Sequence, residues 1–206
     1  MTVTDIIPVS AGKGRGTGGK YRVFIEGQLA FVLYRGELSR YGIEKDCELS
    51  EQAYDEILGE VLYKRARLRC MHLLESADKT EAQLRMKLQQ GEYPKEVIES
   101  TIEWLIQKRY LDDERYADMY IEYNKEKKSR RQIEMELQRK GISGDKIENA
   151  FTGQELAAED DLIREWLDKK HYDRENADAA AQRKMYGFLM RKGFSSPAVM
   201  KALRDR

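Results

Sequence analysis

The sequence predicts a mainly α-helical chain: three tandem three-helix repeats in an elongated curved array, preceded by a small module that contains a β-hairpin. Three observations predict it. Beyond Ser50 the apolar residues recur at helical spacing. That helical pattern repeats itself along the chain. The residues before it alternate at period two instead. Composition agrees: of 206 residues, 36% are charged and 41% hydrophobic. That is too apolar for a disordered chain and highly charged for a compact globule, and thin helical units with much surface reconcile the two. Only 3 prolines interrupt the chain, which leaves long helices unbroken.

Residues 1–49 form the first module. Thr2 to Val9 is a short β-like run. In Lys20 to Tyr34, Tyr21, Val23 and Ile25 share one face, as do Leu29, Phe31 and Leu33. Glu26-Gly27 between them is a tight-turn pair, with Gly27 free to take positive φ.

The helical part follows as residues 50–110 (first repeat with a lead-in helix), 111–155 (second) and 156–206 (third). Leu84, Leu88, Tyr93, Ile98 and Ile102 align with Ile133, Leu137, Ile142, Ile147 and Phe151 at an offset of 49 residues. Those align with Met185, Leu189, Phe194, Val199 and Leu203 at an offset of 52. Self-similarity of this kind marks stacked supersecondary units. Thr80 with Gln83, and Ser129 with Gln132, read as capping boxes. The third copy has Ala181 and Lys184 there, so its helix begins at Asp178 instead. Gly141 and Gly193 sit where a helix must stop, and in the first repeat Gly91 is displaced by one position. The third helices start near Pro94, Ser143 and Ser195. A first helix precedes each pair, around Tyr63–Leu74, Glu114–Tyr123 and Asp160–Leu167.

Charge and cysteines limit the functions open to such a chain. Lys plus Arg and Asp plus Glu are 37 each, so any contact with nucleic acid must come from local patches, not a global field. Cys47 and Cys70 make no metal-ligand pattern and no disulfide scaffold, which points to a reducing, cytoplasmic setting. The N-terminal stretch lacks an apolar signal core, and no run is long and apolar enough to span a membrane.

Four features compete for a functional reading. Gly14, Gly16 and Gly19 match GxGxxG, and Gly14, Gly19 and Lys20 match most of a P-loop. Both motifs need a preceding strand and a following helix whose N-terminus holds phosphate. Here a strand follows and Tyr21 replaces the Ser/Thr, so the loop reads as a connection and no cofactor is expected. Asp112, Asp113 and Glu114 precede an apolar-periodic run, where acidic residues cap a helix and oppose its positive end. Tyr116, Tyr120 and Tyr123 lie on one stripe; they could stack bases, but such a stripe reads as core. His72 and His171 are isolated, and with no nucleophile beside them no catalytic residue is expected.

The fourth feature is a set of basic clusters. Lys64, Arg65, Arg67 and Arg69 precede the first repeat's core stripe. Lys125, Lys127, Lys128, Arg130 and Arg131 span a helix junction in the second repeat. Arg139 and Lys140 lie one helix on, and Arg191 with Lys192 match them in the third repeat. No acidic run matches the junction cluster, so its charge reads as uncompensated. It is either a solvated face or a discontinuous track for phosphates or for an acidic protein groove.

The run from Gln107 to Ala117 (QKRYLDDERYA), the ELQRKGI stretch ending at Ile142, and the threefold repeat together resemble the RecX family. The motif positions are Leu111, Asp112, Asp113, Tyr116, Ala117, Leu137, Gly141 and Ile142. The hairpin and the Glu48-Leu49 segment resemble the N-terminal extension of RecX proteins from Gram-positive bacteria. The resemblance implies a regulator of the RecA recombinase that lies in the groove of the RecA filament on single-stranded DNA; a monomer is expected. It would restrain ATP hydrolysis, strand exchange and co-protease activity, touching the DNA weakly or indirectly. The candidate contacts, chosen for the density of their charge and not from the resemblance, are Lys64, Arg65, Arg67, Lys127, Lys128, Arg130, Arg131, Arg139, Lys140, Arg191 and Lys192. A stand-alone DNA-binding protein built from three-helix modules is the competing reading.

Overall fold

The computed structural model describes residues 1–9, 19–173 and 175–204. The chain divides into two compact units, Met1–Leu111 and Asp112–Arg206.

The first unit opens with a three-stranded antiparallel sheet in sequential order, β1 (Val3–Pro8), β2 (Lys20–Ile25) and β3 (Gln28–Tyr34). The β2–β3 hairpin turns at Glu26 and Gly27, both at positive φ, +51° and +80°. This is the geometry whose twist matches that of paired strands. Gly27 N–H donates to the Thr4 hydroxyl at 3.0 Å, and that hydroxyl donates to the Phe24 carbonyl at 3.3 Å. β1 can do this because it bulges at Thr4, between the pairs Val3–Ile25 and Asp5–Phe24.

A second bulge corrects the sequence reading of β3. Val23 pairs with Phe31, but Phe24 pairs with Leu29, leaving Ala30 as the extra residue. One extra residue moves the next side chain to the opposite face. Phe31 and Leu33 are therefore fully buried while Leu29 is 41% exposed.

Helix α1 (Arg35–Tyr41) follows directly, inside the span read from sequence as β-rich. Its start is fixed by the Glu37 carboxylate, which accepts from the Tyr34 N–H at 2.7 Å. The chain then ties back to its own beginning: Val3 N–H donates to the Cys47 carbonyl at 2.9 Å and Leu49 N–H to the Met1 carbonyl at 2.8 Å.

Helix α2 (Glu51–Glu56) is capped by Ser50, whose hydroxyl accepts from Ala53 N–H at 3.1 Å. It runs into a π-helical segment, Ile57–Tyr63, and on into α3 (Lys64–Ser76). A π turn bonds residue i to i+5, which stacks Ile57 and Leu62, five apart and both buried, on one face. Helices α4 (Glu81–Gln90) and α5 (Lys95–Gln107) complete the unit. One apolar cluster runs from Val3 and Phe31 through Ile57, Leu62 and Leu88 to Leu105 and Leu111. The sheet and the first three-helix repeat thus share a core.

The second unit holds two repeats, α6 (Asp113–Asn124), α7 (Arg130–Arg139) and α8 (Gly144–Phe151), then α9 (Glu159–Lys169), α10 (Ala179–Arg191) and α11 (Ser196–Arg204). Each has its own apolar cluster, one around Ile121, Ile133 and Leu137 and one around Ile163, Leu189 and Phe194. Of the fifteen positions aligned from sequence, Tyr93 and Met185 are half-buried and the rest are buried.

One device ends many of these helices. After a buried leucine, the fifth residue's N–H returns to the leucine carbonyl while the residue between sits at positive φ. The pairs are Leu38–Ile43, Leu88–Tyr93, Leu105–Tyr110, Leu137–Ile142, Leu167–Tyr172 and Leu189–Phe194, with N···O distances of 2.9–3.3 Å. The left-handed residues are Gly42, Glu92, Arg109, Gly141, His171 and Gly193. This is the Schellman motif, which satisfies terminal carbonyls and packs an apolar residue back on the last turn. It also explains the displaced glycine. In the first repeat Glu92, at φ +57°, fills the left-handed position and Gly91 lies one residue earlier at φ −83°.

The helix starts divide likewise. Thr80 and Gln83 form a full capping box. Ser129 accepts from Gln132 N–H at 3.2 Å, but the Gln132 side chain turns to Glu136 instead of returning to the cap, so this box is half made. Asp178 caps α10, accepting from Ala181 N–H at 2.7 Å.

The glycine loop falls mostly outside the described residues, Gly14 and Gly16 included. Its described end, Gly19 at φ +53° and Lys20, leads into β2. No described helix is long and apolar enough to cross a membrane.

Candidate interaction surface

The junction of α6 and α7 carries the densest basic run. Asp112 caps the start of α6, its carboxylate accepting from Arg115 N–H at 2.9 Å, while Asp113 is buried. At the far end Lys127 and Lys128 N–H groups donate to the Asn124 carbonyl at 2.8 and 3.0 Å, closing a turn before Ser129. Five cationic side chains therefore leave one short corner.

Their charges are largely answered within the repeat, which corrects the expectation that they stand uncompensated. Lys128 donates to Glu136 at 2.6 Å and to the Tyr120 hydroxyl at 3.2 Å. The Tyr120 hydroxyl in turn donates to Glu136. Burial disfavours the Lys128 ammonium, but these hydrogen bonds outweigh it and raise the group above its ordinary range. Glu136 shows the mirror case: burial opposes its charge, yet bonds from Lys128, Tyr120 and Gln132 hold it below the usual carboxylate range. Arg130 bridges Glu134 at 2.7 Å and Glu148 at 2.6 Å, and Lys125 meets Glu122 at 2.8 Å. The signal was in the sequence, since Arg130 and Glu134 stand four apart on one helix face.

What stays available is a smaller set. Lys127 is exposed and sits 3.7 Å above the Tyr123 ring, itself 72% exposed. Arg131, Arg139 and Arg191 are exposed and meet no carboxylate among the described residues. Lys140 and Lys192 occupy equivalent helix ends and do equivalent things. Lys140 lies 5.6 and 5.4 Å from the Tyr116 and Tyr120 ring centres, and Lys192 lies 4.4 and 5.8 Å from Trp166 and Phe188. Each is half-buried over an aromatic pair, a cation–π arrangement that presents charge without freeing it. The tyrosine stripe therefore splits: Tyr116 and Tyr120 stack 6.3 Å apart against the core, and Tyr123 does not join them.

In the first repeat the basic residues are mostly structural. Arg65 pairs with Glu37, donates to the Val32 carbonyl at 3.0 Å and lies 4.7 Å from the Tyr34 ring centre. Arg67 lies over Trp104 at 4.9 Å, with its Nε buried and unpartnered. Lys64 pairs with Glu60 across one helical turn. Arg69 remains exposed.

The motif residues are placed by the same packing. Leu111, Ala117, Leu137 and Ile142 are buried, and Gly141 makes the left-handed turn at φ +87°. Residues 66–105, 112–150 and 158–203 match, in order, the family models described as the first, second and third three-helix domains of RecX. The chain belongs to the RecX family. RecX relatives align along nearly its whole length. The chain is 29% identical over 205 residues to "Regulatory protein RecX" of Caldanaerobacter subterraneus subsp. tengcongensis, covering 98% of each. It is 27% identical over 178 residues to that of Clostridium perfringens strain 13, covering 85% and 84%. Its fold resembles two solved structures. One is titled "Crystal structure of regulatory protein RecX" (TM-score 0.60, 24% identity, 99% of each chain). The other is that of RecX from Lactobacillus salivarius (TM-score 0.54, 20% identity, 69% of this chain and 95% of that one). A regulatory role follows from this kinship, since the relatives are named regulatory proteins.

Proposed function

We propose that this protein binds the RecA filament on single-stranded DNA and restrains its ATPase, strand exchange and co-protease activity. The observation that carries the reading is the ordered match of three RecX domains in a chain whose relatives are named regulatory proteins. Three small helical domains in series suit a lattice-like partner, because each weak contact raises the effective concentration of the next. In this reading the protein is a cytoplasmic monomer, and residues 50–110, 111–155 and 156–206 act as successive docking units after the module at 1–49. The contacts fall to the exposed cations Lys127, Arg131, Arg139 and Arg191, with Lys140 and Lys192 beside them. Lys128, Arg130 and Arg65 hold the fold.

The test is a titration into RecA hydrolysing ATP on single-stranded DNA. Hydrolysis falls as the protein is added, and reversal of Lys127, Arg131, Arg139 and Arg191 to Glu weakens the effect, most in low salt. Unchanged hydrolysis at every ratio of parent protein to RecA would refute the reading. The exposed cations also suit a stand-alone DNA-binding protein, although balanced charge weighs against it. Tight binding to oligonucleotides without RecA would favour that alternative.

A further inference from the structure

Two of the clefts lined by cations among the described residues differ in how those charges are answered, and a third, beside α10, sets Asp173 among Lys170, Lys184 and Arg191. The cleft between α7 and the start of α11 has Arg130 and Arg131 on its wall; Glu134 pairs with Arg130, Arg131 meets no carboxylate among the described residues, and Glu159 on the same lining accepts from Ser195. The other cleft, of about 590 Å³, lies within the first unit, where the sheet meets the ends of α3 and α4. Lys20, Arg65, Arg69, Lys87 and Glu92 line it. Two of these five cancel elsewhere: Arg65 pairs with Glu37, and Glu92 accepts from Arg22 at 2.9 and 2.8 Å. Lys20, Arg69 and Lys87 meet no carboxylate among the described residues; Lys87 bonds only Gln90, at 3.3 Å.

Three unanswered cations around one concavity, in a chain of zero net charge, select an anionic occupant. The apolar lining narrows the choice. Val32 and Leu62 form the floor, and Leu68, 71% exposed, stands at the rim. Leu68 thus adds an exposed apolar side chain beside the unpaired cations. Nucleic-acid bases need a free aromatic face, and here the Tyr34 ring carries Lys20 at 5.3 Å and Arg65 at 4.7 Å. The Tyr93 ring is half-buried in the core cluster. An aliphatic side chain flanked by carboxylates fits both halves of the lining.

We propose that this cleft binds an acidic peptide segment, with an aliphatic side chain on Leu68, Val32 and Leu62 and its carboxylates on Lys20, Arg69 and Lys87. The inference does not rest on the filament reading, because its probe is a peptide alone. The experiment is fluorescence anisotropy of the full-length protein with a labelled peptide repeating Asp-Glu-Leu-Glu. A Lys-for-acid version and labelled oligothymidine serve as comparisons. The acidic peptide binds in low salt and the basic one does not. The double variant Arg69→Glu, Lys87→Glu weakens binding by about tenfold. Leu68→Ser weakens it by a few-fold at low and high salt alike, as loss of apolar burial requires. All three positions are exposed, so melting curves followed by circular dichroism stay unchanged. Binding that survives the double variant, or no peptide binding by the parent, overturns the proposal. Oligothymidine binding that is lost in the double variant, without peptide binding, reassigns the cleft to nucleic acid and overturns it equally.

Discussion

The turn after the second helix is built three times, and the first copy differs from the other two. It reads Gln90-Gly91-Glu92 in the first repeat, Arg139-Lys140-Gly141 in the second and Arg191-Lys192-Gly193 in the third. All three make the same hydrogen bonds to the carbonyl of a buried leucine. The later copies use the turn to present an exposed arginine and a lysine over aromatic rings. The first copy gives up both cations and spends its left-handed residue on Arg22 of the sheet. Backbone geometry belongs to the repeat, whereas side-chain chemistry answers to what lies beside each copy.

The shared half of that comparison can be broken at the leucines. Leu88, Leu137 and Leu189 are fully buried at equivalent places. Truncating Leu137 to Ala should cost about 2–5 kcal/mol in chemical denaturation, and the other two should cost similar amounts. A neutral effect at one of them would mean that copy is not equivalent.

Glycine replacement sharpens the difference. A Cβ on Gly193 would meet Ser129 Oγ at 2.9 Å and the Gln132 backbone nitrogen at 3.0 Å, at φ +82°. This close approach is also where the Ser129 hydroxyl donates to the Lys192 carbonyl at 2.9 Å. Gly193→Ala should cost about 1–3 kcal/mol from backbone strain alone, and more because the obstructing atoms include backbone. Glu92→Gly reverses the logic. It removes strain worth about 1–2 kcal/mol and loses a pair whose side chains are about one-third exposed. Thermal melts should place Gly193→Ala well below the parent and Glu92→Gly close to it.

A pH titration separates the second repeat from the first. Glu136 is held below its ordinary range in the folded state. Its contribution is present above the unfolded value, about 4.3, and is lost as pH falls through the lower folded value. Glu136→Gln should therefore flatten the acid limb of the second unit's stability, read by denaturation between neutral and acid pH. The smallest effect concerns the thiols. Burial raises the Cys70 thiol to about 11, so in the folded protein it should stay unreactive to a disulfide reagent at neutral pH while the partly exposed Cys47 reacts.

Much of this was legible because the signals are local. Helix starts at Ser143 and Asp178, the Glu26-Gly27 turn and the aligned apolar positions each need only a few neighbouring residues. Two of the failures share a cause as well. The bulge at Ala30 and the π segment at Ile57–Tyr63 depend on packing against the rest of the first unit, which no short window reports, whereas the helix at Arg35–Tyr41 carries local signals, Glu37 at its start and Gly42 at its end, that the sequence reading passes over. At the candidate surface the sequence located the cations, but not which of them were taken. Arg65 is held by Glu37 and Val32 on other elements, so its pairing appears only once the chain has folded.

The tie between the chain's first residues and residues 47–49 carries a kinetic consequence. Helices α7, α9 and α10 of the second unit end by instructions written within six residues, so their ends need no distant partner. The start of strand β1 does. Val3 bonds to Cys47 and Met1 to Leu49, so the start of the chain must wait while that length is synthesised, roughly a few seconds at ribosomal speed. Its pairing with β2 needs only residues 20–25, but the edge that Cys47 and Leu49 cover stays open until they arrive, and an open edge of that kind invites wrong pairing.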